Sequence, residues 1–312
     1  MTQRRGAIDC VALGLPQRCL SNSMHGICYE GTPVKVITTI SDLRKELRGC
    51  PSTALVPTMG GLHEGHISLV KLANNQGMPV LASLFVNRLQ FGRHEDFDTY
   101  PRTLEGDLEL LEKAGASMVF TPLEREIYPE RQDFFIRPSD RLSKTLEGYF
   151  RPDFFGGVAT VVMKLFACVQ PQVAVFGKKD YQQLLIIRSM VKQFCLPISI
   201  IAGQTVRAED GLALSSRNVY LTPEERREAP ALHRLIKRTA HEIGKGNRNF
   251  AHLEQLAIAE LESRGWGAEY VAVRRATDLN LPESIEDMEQ PLVVLAAAKL
   301  GKTRLLDNVE VR

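Results

Sequence analysis

No apolar run in the sequence approaches the roughly 18–20 residues needed to cross a bilayer, so a membrane-spanning role is not expected. The six cysteines, Cys10, Cys19, Cys28, Cys50, Cys168 and Cys195, include no CxxC pair, and their scatter does not read as a disulfide framework. A reduced, cytoplasmic setting is the simplest expectation. Charge of one sign is lacking as well. The formal net charge is +2, which argues against a nucleic-acid partner and leaves room for a local basic pocket for phosphates. Low-complexity stretches and internal repeats are also missing. What remains is an ordinary globular composition, 44% hydrophobic and 24% charged, in 312 residues. That length suits two domains of about 150 residues each.

Residues 1–33 show no sustained periodicity. Arg4, Arg5 and Arg18 with few acids are faintly like an organellar transit peptide, but Asp9 and Gly14 break the apolar stretch. The segment reads as an N-terminal extension or an upstream start, with the ordered chain beginning near Val34. From there strands and helices alternate. Strands are expected at Val34–Thr38, Thr53–Val56, Val80–Val86, Met118–Phe120, Val173–Phe176 and Ile198–Ile201, with Pro57 breaking the second. Helices are expected from a Ser41 cap through Leu47, at Gly65–Asn75, Thr103–Ala114, Val158–Val169 and Tyr181–Phe194. This alternation predicts an α/β fold, a Rossmann-like doubly wound parallel sheet over 34–205, with ligands at the carboxyl ends of its strands. Beyond about residue 205 the rhythm changes to two helices, Pro223–Ile243 (capped by Thr222) and Phe250–Arg264, then strands near Tyr270–Val273 and Leu292–Ala297. A smaller C-terminal α+β lid domain over 206–312 is expected.

Four segments carry chemistry. The first, Val56-Pro57-Thr58-Met59-Gly60-Gly61-Leu62-His63-Glu64-Gly65-His66, follows a strand and opens a helix, where free N–H groups and the helix dipole favour a phosphate. Its glycines allow unusual dihedrals and close backbone approach. His63 and His66 share a face of one turn and are placed to donate to a triphosphate as pyrophosphate leaves. A bare HxxH would more often be a metal pair or two surface histidines, but the strand–glycine loop–helix context favours chemistry. In the second segment, Phe85 to Phe91, Asn87 and Gln90 are neutral amides suited to a hydroxy-acid. The third, Val175 to Gln183, places Lys178 and Lys179 just after a strand, within reach of phosphate oxygens, with Gln183 one turn on. The fourth, Val206 to Asn218, offers Ser215, Ser216 and Arg217 in a junction loop able to close over a nucleotide and exclude water, with a helix cap as the bland reading of Ser215.

Together these segments resemble the pantothenate synthetase (pantoate–β-alanine ligase) family, and Asp96–Thr103, Leu146–Phe166 and Leu305–Asn308 extend the likeness to the C-terminus. HxGH alone is shared with a wider nucleotidyltransferase superfamily and with class I aminoacyl-tRNA synthetases; FVNxLQFG, GKKDYQQL and DGLALSSRN narrow it to one family. The resemblance implies a two-step ligase. Pantoate attacks the α-phosphate of Mg-ATP to give pantoyl adenylate and pyrophosphate, and β-alanine then displaces AMP to give pantothenate. It also implies roles. Met59, Gly60, Gly61, Leu62, His63, Glu64, Gly65 and His66 would line the ATP site, with His66 as proton donor and His63 its partner. Gly177, Lys178, Lys179 and Asp180 would bind ATP, with Lys179 on the phosphates. Val206 would touch adenine, and Leu214, Ser215, Ser216 and Arg217 would close on the triphosphate. Gln90 would contact both pantoate and β-alanine, Gln183 would hold pantoate, and Asp107 lies in the region tied to magnesium. A homodimer is implied, and no protein nucleophile is required. Four positions depart from the family pattern: Arg88 for proline, Gly106 for an acid, Asp153 for glycine and Phe154 for histidine.

Overall fold

The computed structural model describes residues 34–92 and 95–311; the extension at 1–33 and its cysteines lie outside them. Six parallel strands form one sheet: β1 (Lys35–Ile37), β2 (Ala54–Thr58), β3 (Val80–Leu84), β4 (Met118–Phe120), β5 (Val173–Gly177) and β6 (Ser199–Gly203). Their spatial order is β1-β4-β3-β2-β5-β6. From β2 the chain winds outward through β3 and β4, then crosses back to lay β5 on the other side of β2. The point of reversal is the β2–β5 boundary, where an open α/β sheet binds its ligands. These two strands pair only at Ala54–Val173 and Leu55–Ala174 and then diverge, while β2 stays paired with β3 as far as Thr58–Leu84. Pro57, expected to end β2, lies inside the strand instead. It sits past the last β2–β5 pair, where one side has no ladder for its missing N–H to interrupt.

The strands alternate between two buried faces, as a sheet covered on both sides requires. Leu55, Leu81, Ala174 and Phe176 face the helices Phe154–Val169 and Tyr181–Gln193. Ala54, Val56, Ala82, Val173 and Val175 face the helix Glu64–Asn74 and Leu111 of Leu104–Lys113. Beyond β6 a second, antiparallel sheet forms from β7 (Gly267–Arg275), β8 (Leu292–Leu300) and β9 (Thr303–Glu310). One face packs on the helices Pro230–Gly244 and Phe250–Ser263. The other puts Ala272, Val293 and Leu295 into the core of the parallel sheet. Among the described residues no helix is long and apolar enough to cross a membrane.

Several boundaries differ from expectation for identifiable reasons. The first helix, Ile40–Leu47, is capped by Thr39, whose Oγ1 accepts from the Asp42 N–H at 3.1 Å, so Ser41 sits inside it. The expected helix Pro223–Ile243 is two helices, Pro223–Glu228 and Pro230–Gly244, because Pro230 brings no N–H to continue the first ladder. Strand β9 has no counterpart among the expected elements. The helix expected at Val158 starts at Phe154, preceded by Asp153 in the left-handed region (φ 65°, ψ −7°) with no capping bond from its side chain. This is the position where the family pattern reads glycine, and an L-residue there is strained. Asp153→Gly relieves roughly 1–2 kcal/mol of left-handed strain against about 0.4–1 kcal/mol of added unfolded-chain entropy, so a small net stabilisation is expected, read as a raised urea midpoint at unchanged slope; a lowered midpoint would contradict this account.

Candidate active site

The divergence of β2 from β5 opens into a cleft of about 580 Å³, walled by the loops after both strands, the 85–91 segment, and residues of the second sheet. His63 is the N-cap of the helix Glu64–Asn74. Its Nδ1 accepts from the Gly65 N–H at 3.1 Å, while the Nδ1 of His66 accepts from the His63 N–H at 3.3 Å. This reciprocal pair is a capping box built from two imidazoles. It has a chemical consequence, because an Nδ1 that accepts carries no proton, so both rings hold theirs on Nε2. The ring centroids lie 4.1 Å apart, and both side chains line the cleft. Burial pulls the His66 pKa down to about 3, with repulsion from His63 and Lys179 adding to it. Burial likewise takes His63 to about 4, with Lys179 adding and Asp180 opposing. Both are neutral Nε2–H donors at pH 7. Gly65 is required between them: a Cβ there would come within 2.8 Å of His63 Cε1.

The glycine loop is held from behind. Asp107, 3% exposed, accepts from the Gly61 N–H (2.9 Å), the Leu62 N–H (2.8 Å) and the Thr103 hydroxyl (3.1 Å). Gly60 and Gly61 take φ of 89° and 59° to make this turn. Two expectations change here. The N–H groups of Gly61, Leu62 and Gly65 are engaged within the protein rather than free for phosphate, and Gly60, Gly61, Leu62 and Glu64 do not line the cleft, whereas Met59 and Gly65 do. Asp107 also lies outside the lining, with its oxygens occupied by the loop. Among the described residues no group of three or more His, Cys, Asp or Glu is arranged to hold a metal ion.

Past β5, Gly177, Lys179 and Asp180 line the cleft, with Lys179 Nζ 3.7 Å from Asp180. Lys178 turns away, its ammonium bonded to both oxygens of Glu310 on β9 at 2.8 and 2.7 Å. Gln183 lines the cleft, and its side chain has no hydrogen-bond partner among the described residues. Its neighbour Gln182 is engaged with backbone groups of Leu142, Thr145 and Glu147. Asn87 is buried and fully bonded. Its Nδ2 donates to Gln90 Oε1 (3.0 Å) and Gly157 O (3.2 Å), and its Oδ1 accepts from the Tyr128 hydroxyl (2.7 Å). Asn87 therefore orients Gln90, turning the Gln90 NH₂ toward Met59 Sδ at 3.1 Å. Val206, Leu214, Ser215, Ser216 and Arg217 complete the wall. Ser215 Oγ accepts from the Arg217 N–H at 3.3 Å and caps a short 3₁₀ turn, and Ser216 Oγ lies 2.9 Å from Tyr100 OH.

Sequence reasoning does not single out two adjacent acids, Glu95 and Asp96, which also line the cleft. Asp96 grips the Arg217 guanidinium at 2.9 and 2.7 Å, and Glu95 grips Arg151 at 2.7 and 2.5 Å. Arg151 also donates to the Gln90 carbonyl at 3.1 Å and stacks 3.7 Å over the Phe154 ring. Their arginines lie 56 and 121 residues away, so no local pattern marks the pairs. Arg88 stacks over Phe97 at 3.9 Å and does not line the cleft.

The model of the family described as pantoate-beta-alanine ligase matches residues 35–310. A pantothenate synthetase from Thermus thermophilus is similar at 40% identity and TM-score 0.83, over 89% of this chain and 99% of that one. A pantoate-beta-alanine ligase from Francisella tularensis, solved with beta-gamma ATP and beta-alanine, is similar at 31% identity and TM-score 0.76, over 88% and 97% of the two chains. With two histidines locked as donors at the reversal of a parallel sheet, and with likeness running nearly end to end, the chain belongs to the pantoate–β-alanine ligase family.

Proposed function

We propose a division of labour in the cleft for the family's reaction, the ATP-dependent joining of pantoate to β-alanine with release of AMP and pyrophosphate. A free carboxylate is a poor acyl donor, and adenylation supplies AMP as a leaving group. The observation that carries the assignment is the histidine pair, held neutral with both Nε2–H groups available beside Lys179. Donors fixed in place before charge develops stabilise a transition state without reorganising. His66 and His63 donate to the phosphates as pyrophosphate departs, Lys179 supplies the positive charge, and Ser215 and Arg217 close from the other side. Val206 packs the adenine, and Leu214 closes on the triphosphate with Ser215 and Arg217. Magnesium enters as MgATP, since Mg²⁺ is commonly held through substrate phosphates rather than by an all-protein cage.

Gln90 and Gln183 bind the hydroxyl and carboxylate of pantoate, with Phe85, Phe155 and Val158 as the apolar wall for its two methyl groups. Asn87 acts through Gln90. Residues 206–312 form the lid, whose β8 and β9 reach into the same cleft. A homodimer working in the cytoplasm is the reading that the family likeness supports. The function is tested by pantoate-dependent release of pyrophosphate and β-alanine-dependent formation of pantothenate, followed by mass spectrometry. Gln90→Ala separates the two ends of the site: calorimetry should show pantoate affinity falling at least tenfold while ATP affinity stays within about twofold. Equal losses of both would place Gln90 elsewhere.

A further inference from the structure

Two neighbouring residues of β9, Asp307 and Asn308, hold the two loops proposed to carry ATP. Successive side chains on a strand point to opposite faces, so a dipeptide can hold two separate elements. Asp307 is 4% exposed and accepts from both arms of Arg207, Nη1 at 2.6 Å and Nη2 at 2.9 Å. The His233 ring (3.1 Å) and the Asn308 N–H (2.7 Å) complete its shell. Arg207 also donates to the carbonyls of Gly211 (3.2 Å) and Asn308 (3.2 Å). The turn it opens closes through the Leu214 N–H on Val206 O, and Ser215 to Arg217 follow directly. On the other face, Asn308 Nδ2 donates to Lys178 O and Lys179 O, both at 2.9 Å. Asn308 is 7% exposed.

We propose that Asp307 and Asn308 are positioning residues for the adenylation step, fixing the separation between Lys179 and the Ser215–Arg217 loop across the triphosphate. The proposal rests on the assignment of those two loops to ATP. Neither side chain need touch substrate. A displacement of about 1 Å at such a site can cost on the order of 10²-fold in rate.

The test compares Asn308→Ala, Asn308→Asp (same shape, no amide donor) and Asp307→Asn, with Glu310→Gln as a control that alters the same seam at a neighbouring contact. Pantoate-dependent pyrophosphate release is measured at saturating ATP on protein shown to be folded by circular dichroism. The second step is measured separately with preformed pantoyl adenylate and β-alanine. The expected result is a 10- to 100-fold fall in kcat for adenylation in all three variants, little change in KM for pantoate, and second-step rates within about threefold of the parent. Glu310→Gln should keep its turnover. Full adenylation kcat in folded Asn308→Ala overturns the proposal, as does an equal fall in both steps. Lys179→Ala is run alongside. If it turns over normally, the assignment of the phosphate loop itself fails and the clasp falls with it; if it is impaired while Asn308→Ala is not, only the clasp is lost.

Discussion

Replacing His66 with alanine is expected to lower pantoate-dependent pyrophosphate release by about 10²–10³, the scale seen when one preorganised donor is removed from a developing anion. Two losses combine. The Nε2–H is gone, and so is the Nδ1 that accepts the His63 N–H, so the cap of the Glu64–Asn74 helix loosens and His63 loses its brace. His66→Asn should recover part of the rate, because its amide can still accept from that N–H. Near-parental adenylation by the alanine variant would remove His66 from the chemistry. The pH dependence follows from the lowered pKa values. With folded values near 3 and 4 against about 6.5 in the unfolded chain, both rings stay neutral through the usual assay range. The histidines should therefore contribute no acid limb to turnover near pH 6.5. They do affect stability: between pH 6.5 and about 3 the unfolded chain takes up protons that the folded one refuses, so stability falls as the pH is lowered through that window.

Asp107→Asn is expected to be nearly as damaging, for a different reason. The carboxylate receives two N–H groups and a hydroxyl, and an amide of the same shape turns an NH₂ toward at least one of those donors. Breaking a buried charge-assisted set of this kind costs on the order of 2–4 kcal/mol. Because the Gly60–Leu62 turn precedes His63 directly, adenylation should fall at least tenfold even in protein that remains folded. The magnesium titration of activity, measured at fixed ATP, should keep its midpoint. A midpoint shifted to higher magnesium would return Asp107 to the metal role that the family likeness suggests.

Much of the fold is legible from periodicity, because buried parallel strands separated by helices leave strong apolar runs: Met118–Phe120 is right to the residue, and β5 within one. The errors fall where local pattern meets a tertiary answer. Pro57 reads as a strand breaker until its neighbour β5 diverges and leaves nothing to break. Pro230 falls inside the expected helix Pro223–Ile243 and splits it. At the site, each of the four motif segments contributes residues to one cleft, but residue type does not reveal direction. Lys178 and Lys179 are adjacent and chemically alike, yet one faces Glu310 and the other the cleft. Asn87 looks like a ligand in the sequence; in the structure it borders the cleft with its amide engaged by Tyr128 and Gly157, partners distant along the chain. The acids Glu95 and Asp96 escape for the same reason.

Strand β8 contributes to both hydrophobic cores: Val293 and Leu295 belong to the one built on the parallel sheet, Val294, Ala296 and Ala298 to the one built with the C-terminal helices. It is a party wall. Severing the chain at 205 would bare an oily surface on each fragment, so neither half makes a good independent tenant, and the two should melt together in a single transition. Any opening of the cleft must then be a pivot about that wall rather than a parting of the halves.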